Sequence, residues 1–238
     1  MDTWSVPKLW QGGSCWIIGG GKSVPYQFDV PEEVIEKVCS GKFSPSVYTP
    51  YMSVLHDKHV VGVNNAYQIG TWIDFLFFGD GSWHLVHQKQ IARWPGVIVT
   101  CSPKFAGIRD RDRHGIKYMA KDKSHKMGIS SNSSKVSWNF NSGAAAISLA
   151  VHLGAKKIFL LGFDMNASGK YTHWHGSHGK KGVKGPPFQK HLSGFPDIAR
   201  DAKRMKVQIF NVNKKSTIAV FPKIKLDEAL KLADKENS

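Results

Sequence analysis

The run His173-Trp174-His175-Gly176-Ser177-His178 sets three imidazoles two and three positions apart. Imidazole is the one side chain whose ordinary pKa lies near neutrality, so His173, His175 and His178 are candidate general bases for an acceptor hydroxyl. The spacing would suit a metal ion only if the loop closed around it, and no cysteine or carboxylate lies near enough in sequence to complete four ligands. We therefore assign no metal site. A plain polar loop is the competing reading of the same residues. Ser23 and Ser142 have no His-Asp framework in the sequence, which argues against serine hydrolysis.

Two small-residue turns offer what a phosphate needs. Gly19-Gly20-Gly21-Lys22-Ser23 follows the apolar run 14 to 18, and Asn141-Ser142-Gly143 opens an alanine-rich helix whose first N–H groups form an anion site. The first turn matches neither G-x-G-x-x-G nor the P-loop pattern, and a tight turn needs glycine for conformational reasons alone. Polar residues also end three further apolar runs: Asn64 and Asn65 after 60 to 63, Asp80 with Ser82 after 73 to 78, and Asp164 after 157 to 162. An asparagine there can bond a base or ribose, or cap the next segment, and Asp164 can hold a loop, orient a histidine or touch substrate. Taken together, Gly19, Gly21, Lys22, Ser23, Asn64, Asn65, Asp80, Ser142, Gly143 and Asp164 are the candidate nucleotide-binding residues.

The elements that must position them are readable from apolar runs and punctuation. Strands are expected at 14 to 18, 60 to 63, 73 to 78, 96 to 100, 157 to 162 and 207 to 211. Helices are expected at 30 to 38, where Pro31 and two glutamates mark the start, at 142 to 153, at 196 to 205 and at 226 to 234. Residues 40 to 57, with Pro45 and Pro50, read as a loop, 104 to 137 as a basic insertion over the sheet, and 166 to 190 as a glycine-rich candidate lid. Apolar strands alternating with helices imply an α/β domain, spanning 1 to 238, with a parallel or mostly parallel sheet covered on both faces. Its ligand belongs outside the carboxyl ends of the strands.

Composition sets bounds on this picture. With 238 residues, 41% of them hydrophobic, the chain can bury a full core. No apolar run reaches the length of a membrane span, and the start lacks the pattern of a signal peptide, so the expectation is a cytoplasmic protein. Three scattered cysteines exclude a disulfide framework. The net charge of +15 is uneven: residues 104 to 135 hold nine basic side chains against three acids. Arg109, Arg111 and Arg113 are therefore candidates for binding a polyanion, either nucleic acid or an acidic acceptor, although a solvated lysine-rich surface explains the same charge.

The order of these motifs, from the glycine turn with Lys22-Ser23-Val24 through Gly62-Val63-Asn64-Asn65, Asp74 to Asp80, Asn141-Ser142-Gly143 and Gly162-Phe163-Asp164 to Asn211-Val212-Asn213, resembles a Rossmann-like group. That group contains the bacterial lipooligosaccharide sialyltransferases and the 6-hydroxymethylpterin diphosphokinase-like family. The resemblance implies a nucleotide-dependent transferase, glycosyltransferase-like with a CMP-sugar donor and no required cofactor, and it makes a lid histidine the base. It carries the CMP contacts onto Gly19, Gly21, Ser23, Asn64, Asn65, Ser142 and Gly143. The diphosphokinase alternative requires Mg2+, and a nucleic-acid-binding or nucleic-acid-modifying protein is a third reading. Lys22 stands where the sialyltransferases have proline. Small stand-alone members of the group occur in bacteriophages, which implies a phage source and a bacterial host cell. Oligomeric state is not implied.

Overall fold

Each apolar run becomes a strand because an apolar layer covers it on both sides. In the computed structural model, which describes residues 3–107, 115–166, 170–176 and 188–234, seven strands form one sheet. They are β1 (Ser14–Ile18), β2 (Val60–Val63), β3 (Phe75–Phe78), β4 (Val97–Thr100), β5 (Lys117–Tyr118), β8 (Lys157–Leu161) and β9 (Gln208–Asn211). Their order is β5-β4-β3-β2-β1-β8-β9, and every neighbouring pair is parallel. The short strands β6 (Ala120–Lys121) and β7 (Lys135–Val136) make a separate parallel pair.

Side chains alternate between two cores, as a period of two demands. Cys15 and Ile17 of β1 join one core with Ile158 and Leu160 of β8, while Trp16, Ile18, Phe159 and Leu161 join the other. The helices are α1 (Ser23–Gln27), α2 (Glu32–Cys39), α3 (Gly81–Ile91), α4 (Ser142–His152), α5 (Phe188–Leu192), α6 (Phe195–Arg204) and α7 (Leu226–Asp234). The first core takes α4 and α6. The second takes α2, α7 and a 3-10 segment over Pro45–Leu55. Ala144, Ala145, Ala146 and Ala150 are all buried, and their small side chains let α4 lie close against the central strands.

The expected strands are all present, with ends moved by one or two residues, and the parallel sheet with helices on both faces is confirmed. The structure also differs from the sequence reading: α1 was not expected, and the basic segment 104–137 contains β5, an edge strand of the sheet, and the β6–β7 pair. Residues 45–55 are 3-10 helical rather than a loop, with Ser44 Oγ accepting from Ser46 N (3.3 Å) ahead of Pro45. The turn at Asp80 starts an eleven-residue helix, α3, that the apolar pattern conceals because Leu85 and Val86 face solvent while His84 and His87 are buried. The loop after β8 ends in a helix from Phe188, inside the segment expected to run irregularly to 190.

The chain steps outward from β1 to β5, then returns to place β8 and β9 on the opposite side of β1. The order therefore reverses at the β1–β8 pair. In an open parallel sheet, such a switch point leaves a crevice at the carboxyl ends of its strands. Among the described residues, no helix is long and apolar enough to cross a membrane.

Candidate functional site

A crevice of about 630 Å³ opens at that switch point. Its floor is the glycine turn after β1. Gly19 N donates to Leu161 O (2.8 Å) and Gly21 N to Gly162 O (2.9 Å), which binds the turn to the end of β8. A Cβ on Gly21 would stand 2.5 Å from Gly162 O and 2.6 Å from Asp164 Cγ, so only glycine permits this approach. Beyond the turn, Asp164 works as a buckle. One carboxylate oxygen accepts from Ser23 N (2.9 Å), while the other accepts from Ser23 Oγ (2.5 Å) and Asn213 Nδ2 (2.8 Å).

Gly19, Gly21, Asn64, Asn65, Asp80, Ser142, Gly143, Asp164, His173 and His175 all line the crevice. Two nominated residues do not. Lys22 lines a separate cleft of about 170 Å³ with Tyr26, Cys39 and Tyr171, because the helix it starts turns its side chain away from the strand ends. Ser23 is absent from the crevice lining, its hydroxyl held by Asp164. His178, Arg109, Arg111 and Arg113 lie outside the described residues.

The start of α4 also differs from expectation. Asn141 is its N-cap, and Asn141 Oδ1 accepts from Gly143 N (2.8 Å) and Ala144 N (3.3 Å). Two of the N–H groups assigned to an anion are therefore satisfied within the protein. What the turn offers a ligand is the Ser142 N–H and hydroxyl, together with the positive end of an eleven-residue helix. Gly143 is needed for packing, since a Cβ there would meet the Phe163 ring at 3.0 Å.

The wall formed by the end of β2 is different. Trp83 Nε1 donates to Asn65 Oδ1 (2.7 Å). An indole nitrogen is only a donor, so this bond fixes the Asn65 amide with its Nδ2 on the other side. Asn65 Nδ2 and Asn64 Oδ1 are both buried, and no hydrogen-bond partner accompanies either among the described residues. Asn64 adopts a φ of 52°, a left-handed conformation that asparagine tolerates better than most residues. Asn64 Oδ1 and Asn65 Nδ2 are thus an unmatched buried acceptor and an unmatched buried donor on consecutive residues that line the crevice. Asp80 caps α3, accepting from Ser82 N (2.9 Å) and Ser82 Oγ (3.0 Å), so one of its oxygens is engaged within the protein.

Histidines form the roof. His173 pairs with Gly21 in an antiparallel bridge, and its ring lies 5.3 Å from that of His175. Both are held there by Trp174, which is fully buried, donates from Nε1 to Gly19 O (2.7 Å) and accepts at its carbonyl from Tyr48 Oη (3.2 Å). Residues 170–176 are thus strapped across the glycine turn, and the rest of the candidate lid, 177–187, lies outside the described residues. His191, on α5, also lines the crevice and was absent from the sequence reading. Burial, and then the neighbouring Lys190, hold its pKa below the ordinary histidine value. The aromatic lining from Trp83, His87, Trp138 and Phe140 was likewise missed, because α3 was not recognised and residues 138–140 sit at the end of the basic segment. Among the described residues, no three His, Cys, Asp or Glu side chains gather as a metal site.

No family model matches the chain, and no curated protein matches it in sequence. Solved structures do resemble it. The monofunctional α-2,3-sialyltransferase Cst-I of Campylobacter jejuni aligns over 91% of this chain and 81% of its own, with a TM-score of 0.54 and 14% identity. The sialyltransferase CstII of the same organism, in complex with cytidine-5'-monophosphate, aligns over 90% and 86%, with a TM-score of 0.49 and 14% identity. The chain shares the fold of Cst-I. At that identity the likeness establishes architecture, and chemistry has to be argued from the crevice.

Proposed function

We propose that this protein is a transferase that binds a nucleotide-sugar, with CMP as its nucleotide, and passes the sugar to an acceptor hydroxyl. The observation that carries the reading is the unmatched pair Asn64 Oδ1 and Asn65 Nδ2, buried in the wall of a crevice at the sheet's switch point. A cytosine edge, with its N4 amino donor beside the N3 acceptor, complements that pair; the other bases also present a donor beside an acceptor, so the nucleotide comparison below makes the choice among them. Cst-I, whose fold the chain shares, is itself a sialyltransferase.

In the reaction, the acceptor oxygen bonds to the donor's anomeric carbon, and the bond from that carbon to the phosphate oxygen breaks. The nucleoside monophosphate leaves with the bonding electrons, and the acceptor proton passes to a histidine. Ser142 at the start of α4 faces the charge that develops on the leaving phosphate. His173, His175 and His191 line the crevice as candidates for that proton, and burial lowers the His191 pKa, which favours its neutral form.

A thermal-shift comparison of CMP, UMP, GMP, AMP, CTP and ATP, with and without Mg2+, tests the reading. CMP at about a hundredfold its Kd stabilises the native state by about 2.7 kcal/mol if the site is as described. A preference for ATP with Mg2+ would instead identify a diphosphokinase, and no stabilisation by any nucleotide would overturn the proposal.

A further inference from the structure

Beyond Asn64 and Asn65 the crevice continues along an aromatic side. It is lined by Trp83, Val86 and His87 from α3 and by Trp138, Phe140 and Phe188. Val86 is 71% exposed and Phe140 41%, so this side opens to solvent as an apolar and aromatic surface. Phe140 is held there against its own preference. Its φ is 52°, a left-handed region that a bulky residue rarely adopts.

The turn that imposes this strain is over-determined by Asn139. Its side chain accepts from Gly128 N (2.7 Å) and donates to Gly128 O (2.9 Å) and Ser137 O (2.9 Å). Phe140 is thus held in a strained backbone with 41% of its surface open to solvent and with Lys190 over its ring, a position from which it can meet a molecule from outside.

Lysines stand over two of these rings, and Asp80 is the carboxylate at the start of α3. Lys121 Nζ lies 3.8 Å from the centroid of the Trp138 ring, and Lys190 Nζ lies 4.7 Å from that of Phe140. Lys104 reaches the start of α3, with its Cδ 3.5 Å from where a Cβ on Gly81 would stand. The chain as a whole carries +15. Flat rings interleaved with cations form a surface on which bases stack while phosphates meet lysines, and stacking requires bases that are free of a duplex.

We propose that this aromatic side is an acceptor subsite for single-stranded nucleic acid, an inference that rests on the donor occupying the Asn64–Asn65 wall. The strand's bases lie against Phe140 and Trp138, and its phosphates run past Lys104, Lys121 and Lys190. Duplex DNA is excluded by the stacking requirement. An acidic oligosaccharide could also lay a sugar face on the ring, and the competition below separates it from a nucleic-acid strand.

The test measures anisotropy of a fluorescein-labelled oligothymidylate of about ten nucleotides, with no donor present, across a range of salt. The native protein binds it at low salt and prefers it to the duplex. Phe140→Gly weakens binding by about tenfold, while its melting temperature does not fall, because glycine relieves the left-handed strain. Lys121→Glu with Lys190→Glu lowers the salt slope by about one for each phosphate that is no longer neutralised.

CMP stabilisation, read separately by thermal shift, is unchanged in Phe140→Gly. A failure of CMP binding in the native protein therefore strikes the donor reading and not this one. The proposal is overturned by absence of oligonucleotide binding at low salt, by equal affinity of the native and Phe140→Gly proteins, by preference for duplex, or by a sulfated oligosaccharide that displaces the strand at lower concentration.

Discussion

Residue types near the crevice divide into those that build it and those that face into it, and the hydrogen bonds tell them apart. Ser23 and Asp164 belong to the first kind, since Asp164 uses both oxygens to bind the Ser23 backbone, the Ser23 hydroxyl and Asn213. Asn64 and Asn65 belong to the second, with one polar atom each left unmatched. Opposite behaviour follows in mutants. Ser23→Ala loses a hydrogen bond to a carboxylate and is destabilised by about 1.5–3 kcal/mol, yet the folded protein binds CMP within about twofold of native. Asn65→Asp keeps an acceptor for Trp83 but replaces the free donor by an oxygen, so CMP affinity falls by at least about tenfold. Calorimetric titration and urea melts of both variants check the pair, and equal loss of CMP affinity in the two would contradict the division. The sequence could not separate these roles. Each residue ends an apolar run, and only the fold reveals which polar atoms are already engaged.

Elements were legible in proportion to their burial. The central strands are continuous apolar runs because both faces are covered, and α4 announces itself by alanines after an asparagine cap. α3 was illegible for the opposite reason: its outward face carries Leu85 and Val86, its inward face His84 and His87, and Asp80 as cap was hidden between two glycines. The basic segment has two-residue strands, too short for any period to emerge.

What orders that basic segment is Asp122. Burial alone would raise its pKa, but bonds from Ser130 Oγ (2.7 Å), Ser124 Oγ (2.7 Å), His125 N (3.2 Å) and Ser124 N (3.1 Å) outweigh burial and hold it at about 2. A lowered carboxylate pKa contributes stability above its unfolded value near 4, and that stability is lost as pH falls through the folded value. Asp122→Asn is therefore less stable than the native protein at pH 7, by on the order of 2 kcal/mol. The gap narrows between pH 4 and pH 2. Urea melts at stepped pH measure it, and a gap independent of pH would show that Asp122 contributes shape rather than charge.

At the scale of the whole molecule, the seven-stranded parallel sheet opens a crevice where its order reverses between β1 and β8. Every feature on which the functional reading depends meets there: the glycine turn, the asparagine pair, the start of α4, the strapped histidines and His191. Among the described residues, Lys22 lies in a separate cleft, and Lys121 and Lys190 lie over the aromatic rings of Trp138 and Phe140. That lysines stand over two rings of the crevice was beyond reach of composition, which reports a net charge without a location. The most direct test of the account is a crystal structure with CMP bound. The account predicts the cytosine ring bonded to Asn64 Oδ1 and Asn65 Nδ2, with the phosphate beside Ser142 at the start of α4. A nucleotide seated in the Lys22–Tyr26 cleft, or a base turned away from the two asparagines, would contradict it.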